Sequence, residues 1–126
     1  MLELESKRAR VRVDEECGGR LASLCVDGVE LLVGRHPDPT QWGSYPMAPY
    51  AGRVRDGRFK WRGTEHALPI NMAPHAIHGT VYGRRWIPDG PGRLKTDLGS
   101  DWPFAGHAIQ EFQLDEGGLL MRLEVH

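Results

Sequence analysis

"AIQEFQLDEGGLLMRLEV", residues 108–125, gives the clearest indication of the fold class of this chain. Apolar and polar side chains alternate along both halves of the stretch, and the turn sequence Asp115-Glu116-Gly117-Gly118 separates them. The predicted inner rows are Ala108, Gln110, Phe112 and Leu114 before the turn, and Leu119, Met121, Leu123 and Val125 after it. A period of two with a glycine-containing turn predicts an antiparallel hairpin with one buried face.

Short strands between glycine and proline turns recur through the rest of the chain, which has 16 Gly and 9 Pro in 126 residues. The alternation at 9–13 predicts a strand, and the pair 20–26 and 29–33 flanks the turn signal Asp27-Gly28. Phe59 and Trp61 alternate with basic residues, and the chain is expected to turn at 62–64 and to pair back over 67–70. Four prolines make 34–51 a long connection. These features predict one all-β domain over 1–126, an antiparallel β-sandwich or barrel.

The composition excludes several classes of protein. The net charge is −1 and the pI is about 6.6, so the chain lacks the basic excess of a nucleic-acid-binding protein. No apolar run is long enough to cross a bilayer, and charges near the N-terminus replace the apolar stretch of a signal peptide. A cytoplasmic protein is therefore expected. Its two cysteines, Cys17 and Cys25, are predicted to be free thiols.

Three histidines in a short span, His66, His75 and His78, raise the alternative of a small β-barrel metal protein, with His107 further along. Alternate side chains of a strand lie on the same face, so a His-x-His pair directs both rings to one side. His75 and His78 are three residues apart and would face opposite sides of a strand. No cysteine and no carboxylate lies at a familiar ligand spacing. The prediction is therefore no metal and no cofactor.

The basic residues Arg58, Lys60 and Arg62 alternate with aromatic residues and are predicted to form a solvated face. Arg53 differs, because it follows Gly52, where the backbone can approach a ligand closely. Its planar fork of donors suits paired hydroxyl groups. Sugar rings also stack their C–H faces on aromatic planes. The candidate aromatic residues are Trp42, Tyr45, Tyr50, Trp61, Tyr82 and Trp86.

The order of several motifs resembles the aldose 1-epimerase family, the galactose mutarotases and their relatives. "GGRLASL" at 18–24 precedes a proline-rich loop. The elements that follow in family order are Gly52-Arg53-Val54, Gly57-Arg58-Phe59, Leu68-Pro69-Ile70-Asn71, Ile77-His78-Gly79-Thr80 and Trp86. Thr80 stands where the family commonly has a second glycine, a departure that bears on which sugar is bound. The resemblance covers most of the chain.

This resemblance implies a large antiparallel galactose mutarotase-like sandwich, of which 1–126 is the N-terminal half. It implies a small-molecule sugar as partner, an aldose or a hexose phosphate, whose α and β anomers the complete protein interconverts by general acid–base catalysis. Arg53 and His78 match the positions that hold sugar hydroxyls. The catalytic base and acid are expected beyond residue 126. A non-catalytic carbohydrate-binding module is the alternative from the same residues.

The patterned strand that ends at 125 is expected to be a sheet edge. An apolar sheet edge without cover invites pairing with another strand. The sequence therefore predicts either self-association into a homo-oligomer or a further polypeptide that completes the sheet.

Overall fold

A computed structural model describes all 126 residues of the chain, and its regular secondary structure consists almost entirely of antiparallel β-strands. The strands are β1 (Leu2–Glu5), β2 (Ala9–Asp14), β3 (Arg20–Val26), β4 (Val29–Glu30), β5 (Arg53–Val54), β6 (Arg58–Trp61), β7 (Thr64–Ala67), β8 (Ala76–Ile77), β9 (Ile87–Pro88), β10 (Arg93–Asp97), β11 (His107–Asp115) and β12 (Gly118–Val125). The single helical element is a 3₁₀ turn at Arg55–Gly57. No helix has the length and apolar character that crossing a membrane requires.

The N-terminal sheet has the order β1-β2-β3-β4. Val11 and Val13 point into the core and are fully buried, whereas Arg10 and Arg12 lie on the exposed face, where they pair with Glu5 and Glu3 of β1. This arrangement confirms the alternation predicted for 9–13. The register shifts between Arg12 and Val13, where a β-bulge bends the strand.

The C-terminal sheet has the order β12-β11-β10-β9. The predicted hairpin is confirmed in register, because Leu114 pairs with Leu119 and Asp115 pairs with Gly118 across the turn. Phe112 of β11 is buried, but its neighbour Met121 on β12 is 42% exposed. Leu123 and Val125 are also exposed, at 42% and 48%. The inner row predicted for β12 is therefore largely uncovered, because no element of this chain packs over the edge strand.

Two short ribbons connect the sheets, β5 with β8 and β6 with β7. Phe59 is half-buried, but Trp61 is 54% exposed and its ring meets the Arg62 guanidinium at 5.5 Å instead of the core. The return strand β7 ends at Ala67, so the pairing predicted for 67–70 is shifted towards the turn. The strand predicted for 29–33 is likewise shorter than expected and ends at Glu30.

Both sheets contribute to one hydrophobic core. Its buried members are Val11, Val13, Leu21, Ala48, Val81, Trp86, Leu94, Leu98, Ala108 and Phe112. The largest of them, Trp86, is fully buried and donates its indole N–H to the Val81 carbonyl oxygen at 3.2 Å. The cysteines are unpaired, as predicted. The connection at 34–51 contains no regular strand and meets the rest of the fold through isolated bridges at Ser44 and Ala48.

Candidate functional site

The two predicted sugar-binding residues both belong to the region of the β5–β8 ribbon, with Arg53 in β5 and His78 directly after β8. Arg53 pairs with Ile77, so its neighbour Gly52 lies opposite His78. The His78 N–H donates to the Gly52 carbonyl oxygen at 3.0 Å, and the Gly52 N–H donates to Nδ1 of His78 at 3.2 Å. The Arg53 side chain is exposed, and no carboxylate of the chain pairs with it.

The hydrogen bond from the Gly52 N–H to Nδ1 of His78 also determines which ring nitrogen of His78 can donate. A ring nitrogen that accepts a hydrogen bond carries no proton, so the neutral imidazole holds its proton on Nε2. His78 is half-buried, and its ring lies 6.0 Å from the ring of Tyr45. The backbone at His78 is left-handed, with φ of +63°. The imidazole is thus fixed on one side by the main chain, and its Nε2–H is free to donate.

Gly79 lets the chain after His78 pass against the proline-rich connection. It forms a bridge with Ala48, and the Thr80 N–H donates to the Ala48 carbonyl oxygen at 2.8 Å. The Thr80 hydroxyl donates in turn to the Leu98 carbonyl oxygen at 2.7 Å. Thr80, which replaces the second glycine of the family motif, therefore ties the site to the segment that follows β10.

Asn71 holds β8 from the other side. Its Oδ1 accepts the Ile77 N–H at 2.7 Å, and its Nδ2 donates to the Ile77 carbonyl oxygen at 3.0 Å and to the Tyr82 hydroxyl at 2.8 Å. One side chain thus binds both backbone groups of the residue before His78 and also orients a tyrosine ring. The position was part of a sequence motif, but its contacts were not predicted.

A cavity of about 380 Å³ adjoins these residues. Its polar lining includes Tyr50, Asn71, Thr80, Tyr82, Arg84 and Asp101. The volume lies within the range of small-molecule pockets in proteins. Neither Arg53 nor His78 lines this cavity. His78 is connected to it through Tyr45, whose ring lies 5.5 Å from that of Tyr82, and through the adjoining Gly79.

Tyrosine and charged side chains determine the electrostatics around the cavity. Burial raises the pKa of Tyr50 above its ordinary value, and a backbone hydrogen bond from Gly79 opposes this effect. The phenol is therefore neutral at physiological pH and can donate as well as accept. Arg84 donates to Asp97 at 2.7 Å, and its Nε is buried without a partner. Sequence reasoning missed Arg84 and Asp101, because loop residues of this kind carry no periodic signal.

A larger cavity of about 580 Å³ lies beyond Pro39 and Gly83, which line both cavities. It is bordered by Cys17, Arg35, His36 and Trp42. None of the residues around the β5–β8 ribbon lines it. The smaller cavity is therefore the better candidate for a ligand that also reaches His78.

The aromatic residues proposed for sugar stacking occupy several different environments. Tyr50 and Tyr82 line the smaller cavity and Tyr45 lies beside it, whereas Trp42 borders the larger one. Trp86 is a core residue and Trp61 is exposed on the β6–β7 ribbon, so these two lie away from the cavity. Arg58, Lys60 and Arg62 are exposed on the same ribbon, as the alternation predicted.

The three histidines of the alternative metal site each make separate contacts. The His66 ring packs between Phe59 and Phe104, with centroid distances of 5.2 and 5.1 Å. His75 accepts the Asp56 N–H on its Nδ1 at 3.1 Å. No group of three or more His, Cys, Asp or Glu side chains in the chain is arranged to hold a metal ion. The structure therefore does not form the His66–His75–His78 site.

Solved structures with the same fold are galactose mutarotase-like proteins. A galactose 1-epimerase from Lactobacillus acidophilus matches 98% of this chain at 24% identity, with a TM-score of 0.72. A galactose mutarotase-like protein from Lactobacillus casei matches 99% at 17% identity, with a TM-score of 0.76. An aldose epimerase homologue from Caenorhabditis elegans matches 98% at 16% identity, with a TM-score of 0.75. The chain spans 42%, 43% and 45% of these proteins, less than half of each.

Sequence comparisons agree with the fold. The Escherichia coli K12 protein YihR, which is uncharacterized, is 32% identical over an alignment of 73 positions, and the match covers 55% of this chain and 24% of that protein. The family model described as aldose 1-epimerase matches residues 2–126. Since this match covers almost the whole chain, the chain belongs to the aldose 1-epimerase family, and its galactose mutarotase-like β-sandwich covers less than half of the solved proteins it resembles.

Proposed function

We propose that residues 1–126 form the sugar-binding portion of an aldose 1-epimerase-like protein. The observation that carries the proposal is the hydrogen bond from the Gly52 N–H to Nδ1 of His78, which leaves Nε2 of that imidazole as a donor, while the exposed Arg53 on the neighbouring strand β5 has no carboxylate partner. Family membership supports a sugar as the ligand. The ligand class is an aldose or a hexose phosphate.

The chemistry of Arg53, His78 and the tyrosines that line the cavity suits a sugar. Arg53 can donate two parallel hydrogen bonds to neighbouring hydroxyl oxygens, because its guanidinium is a rigid fork. His78 can donate from Nε2 to a hydroxyl or ring oxygen. Tyr50 and Tyr82 present apolar ring faces with polar ends, which fit the mixed surface of a pyranose.

Interconversion of the anomers requires more than binding. A base removes the anomeric proton while an acid protonates the ring oxygen, the ring opens, and it closes on the other face after rotation about C1–C2. The family resemblance assigns the base and the principal acid to positions beyond residue 126. We therefore propose that residues 1–126 bind and orient the sugar and that fast interconversion requires the longer protein.

Three further expectations belong to this proposal: one domain over 1–126, a cytoplasmic location, and self-association of the 126-residue chain. The last expectation rests on the exposed apolar residues of β12. Expression of the full reading frame with a fluorescent tag, followed by fractionation, tests the location. Recovery in the periplasmic or membrane fraction would contradict it.

Calorimetric titration with galactose, glucose and glucose 6-phosphate tests the binding proposal. The sharpest variant is His78→Asn, because asparagine tolerates left-handed backbone and offers an acceptor near Nδ1 but no donor at Nε2. His75→Asn is the matched control, since His75 also accepts a backbone N–H on Nδ1 but lacks the contact with Tyr45 that connects His78 to the smaller cavity.

We expect His78→Asn and Arg53→Ala to weaken sugar binding by about tenfold each, the loss of one to two hydrogen bonds. His75→Asn and Lys60→Ala should bind as the unsubstituted chain does. Equal affinities in all variants, or no binding of any of the three sugars, would refute the proposal. Polarimetry of galactose with the 126-residue chain should show no acceleration of mutarotation.

A further inference from the structure

Arg20, the first residue of β3, is a buried cation without a carboxylate partner. None of its surface is exposed, and it takes part in no ion pair. Its guanidinium donates instead to four backbone carbonyl oxygens. These belong to Cys17 at 2.7 Å, Pro39 at 2.7 Å, Trp42 at 3.0 Å and Tyr82 at 3.0 Å.

Two aromatic rings lie against the same guanidinium. Its central carbon lies 4.2 Å from the centroid of Trp42 and 5.0 Å from that of Tyr45. Burial lowers the pKa of Arg20, but arginine keeps its charge in proteins because its ordinary pKa is so high. Burying a charge is costly, and apolar side chains often fill such a space with equal or greater stability. A contribution to stability therefore does not explain why an arginine is buried here. The role of Arg20 is indicated instead by the position of the four carbonyl groups that it binds.

Two of these carbonyls belong to residues that line the candidate cavity. Pro39 belongs to the proline-rich connection and Tyr82 to the segment that follows His78, and both line the 380 Å³ cavity. The connection has no strand ladder to hold it, so its placement depends on tertiary bonds such as these. Tyr45 extends the contact, because its ring lies 5.0 Å from the Arg20 guanidinium carbon and also 6.0 and 5.5 Å from the rings of His78 and Tyr82.

We propose that Arg20 is a positioning residue for the sugar site: it ties together two segments that line the cavity and, through the Tyr45 ring, holds the His78 imidazole in its orientation. This inference rests on the proposed sugar-binding function. Arg20 itself is fully buried and does not touch the sugar. A lysine cannot replace it, because a single ammonium cannot reach four carbonyls arranged around a planar fork.

Two measurements on the 126-residue chain test this role. The first is the nuclear Overhauser effect between the ring protons of Tyr45 and His78, together with the amide shifts of the segments around residues 39 and 82. The second is galactose affinity by calorimetry. Both are made on Arg20→Met and on Arg20→Lys, which keeps the charge if the methionine variant fails to fold. Leu94→Val is the control for a loss of stability, because Leu94 is buried in β10.

We expect folded Arg20→Lys to lose most of the Tyr45–His78 signal and to bind galactose about tenfold more weakly, a loss typical of a displaced binding group. Leu94→Val should keep both properties at temperatures where it is folded. An unchanged ring contact and affinity in a folded Arg20 variant would overturn the proposal. If the unsubstituted chain binds no galactose, the proposed function fails, and the ring contact and amide shifts alone decide the role of Arg20.

Discussion

Replacing Gly79 by alanine tests whether the chain after His78 must pass against the proline-rich connection. Gly79 has φ of +80°, and a Cβ added to it would lie 2.1 Å from the carbonyl oxygen and 2.5 Å from the carbonyl carbon of Ala48. Both are backbone atoms of a buried residue, so the two segments must separate. Separation also breaks the Thr80–Ala48 hydrogen bond of 2.8 Å.

Three costs combine in Gly79→Ala. The left-handed backbone costs a non-glycine residue about 1–2 kcal/mol, overpacking adds about 1–3 kcal/mol, and the broken hydrogen bond adds about 1 kcal/mol, so unfolding becomes easier by about 3–6 kcal/mol. Gly63→Ala is the matched control. Gly63 has φ of +78°, but nothing lies within 4 Å of the place that an added Cβ would occupy. Its cost should be the backbone part alone, about 1–2 kcal/mol.

Urea unfolding followed by tryptophan fluorescence measures both variants, since the chain has four tryptophans. The midpoint for Gly79→Ala should lie at least about 1 M below that for Gly63→Ala. Equal midpoints would show this expectation to be wrong, because the close approach of Gly79 to Ala48 would then contribute nothing beyond the backbone conformation.

Three further changes test other parts of the structure. Asn71→Asp removes both donations from Nδ2 and should lower the unfolding free energy by about 1–3 kcal/mol, measured in urea, whereas Gln113→Glu on the exposed face of β11 should change little. Burial, Lys95 and His126 lower the pKa of His107 in the folded chain. As the pH falls, this histidine is therefore protonated at a higher pH in the unfolded chain than in the folded one. Stability should therefore fall as the pH drops from about 7 to about 5, and His107→Gln should flatten that pH profile of urea midpoints. Leu123→Lys should abolish self-association of the chain in analytical ultracentrifugation, and a monomeric unsubstituted chain would contradict that expectation.

Alternation predicted the strands well wherever one face meets the core. Val11 and Val13 are buried as the pattern required, and the hairpin of β11 and β12 has the predicted turn. The same pattern was wrong for Trp61 and for most of β12, which are exposed. A period of two shows that two faces differ, but it carries no information on whether another element covers the apolar one.

The residues of the candidate site could be predicted only where they belong to a recognisable sequence motif. Arg53 and His78 were chosen from the sequence, and the β5–β8 pairing brings their backbones to neighbouring positions of one ribbon. The contacts of Arg20 and Asn71 could not be predicted, because most of them are made to backbone and side-chain groups of irregular segments, which carry no periodic pattern. Asp101 was missed for the same reason, since a single acidic loop residue has no distinguishing pattern.

Binding of a sugar beside His78 and Arg53 can be observed residue by residue. The experiment is a titration of the isotopically labelled 126-residue chain with galactose, followed by the backbone amide and histidine ring signals in two-dimensional NMR spectra. We expect saturable shifts at residues 52–53, 71 and 77–82, with the His78 ring among them and the His66 and His75 rings unchanged. Shifts confined to another surface, or no saturable shifts at all, would contradict sugar binding at this site.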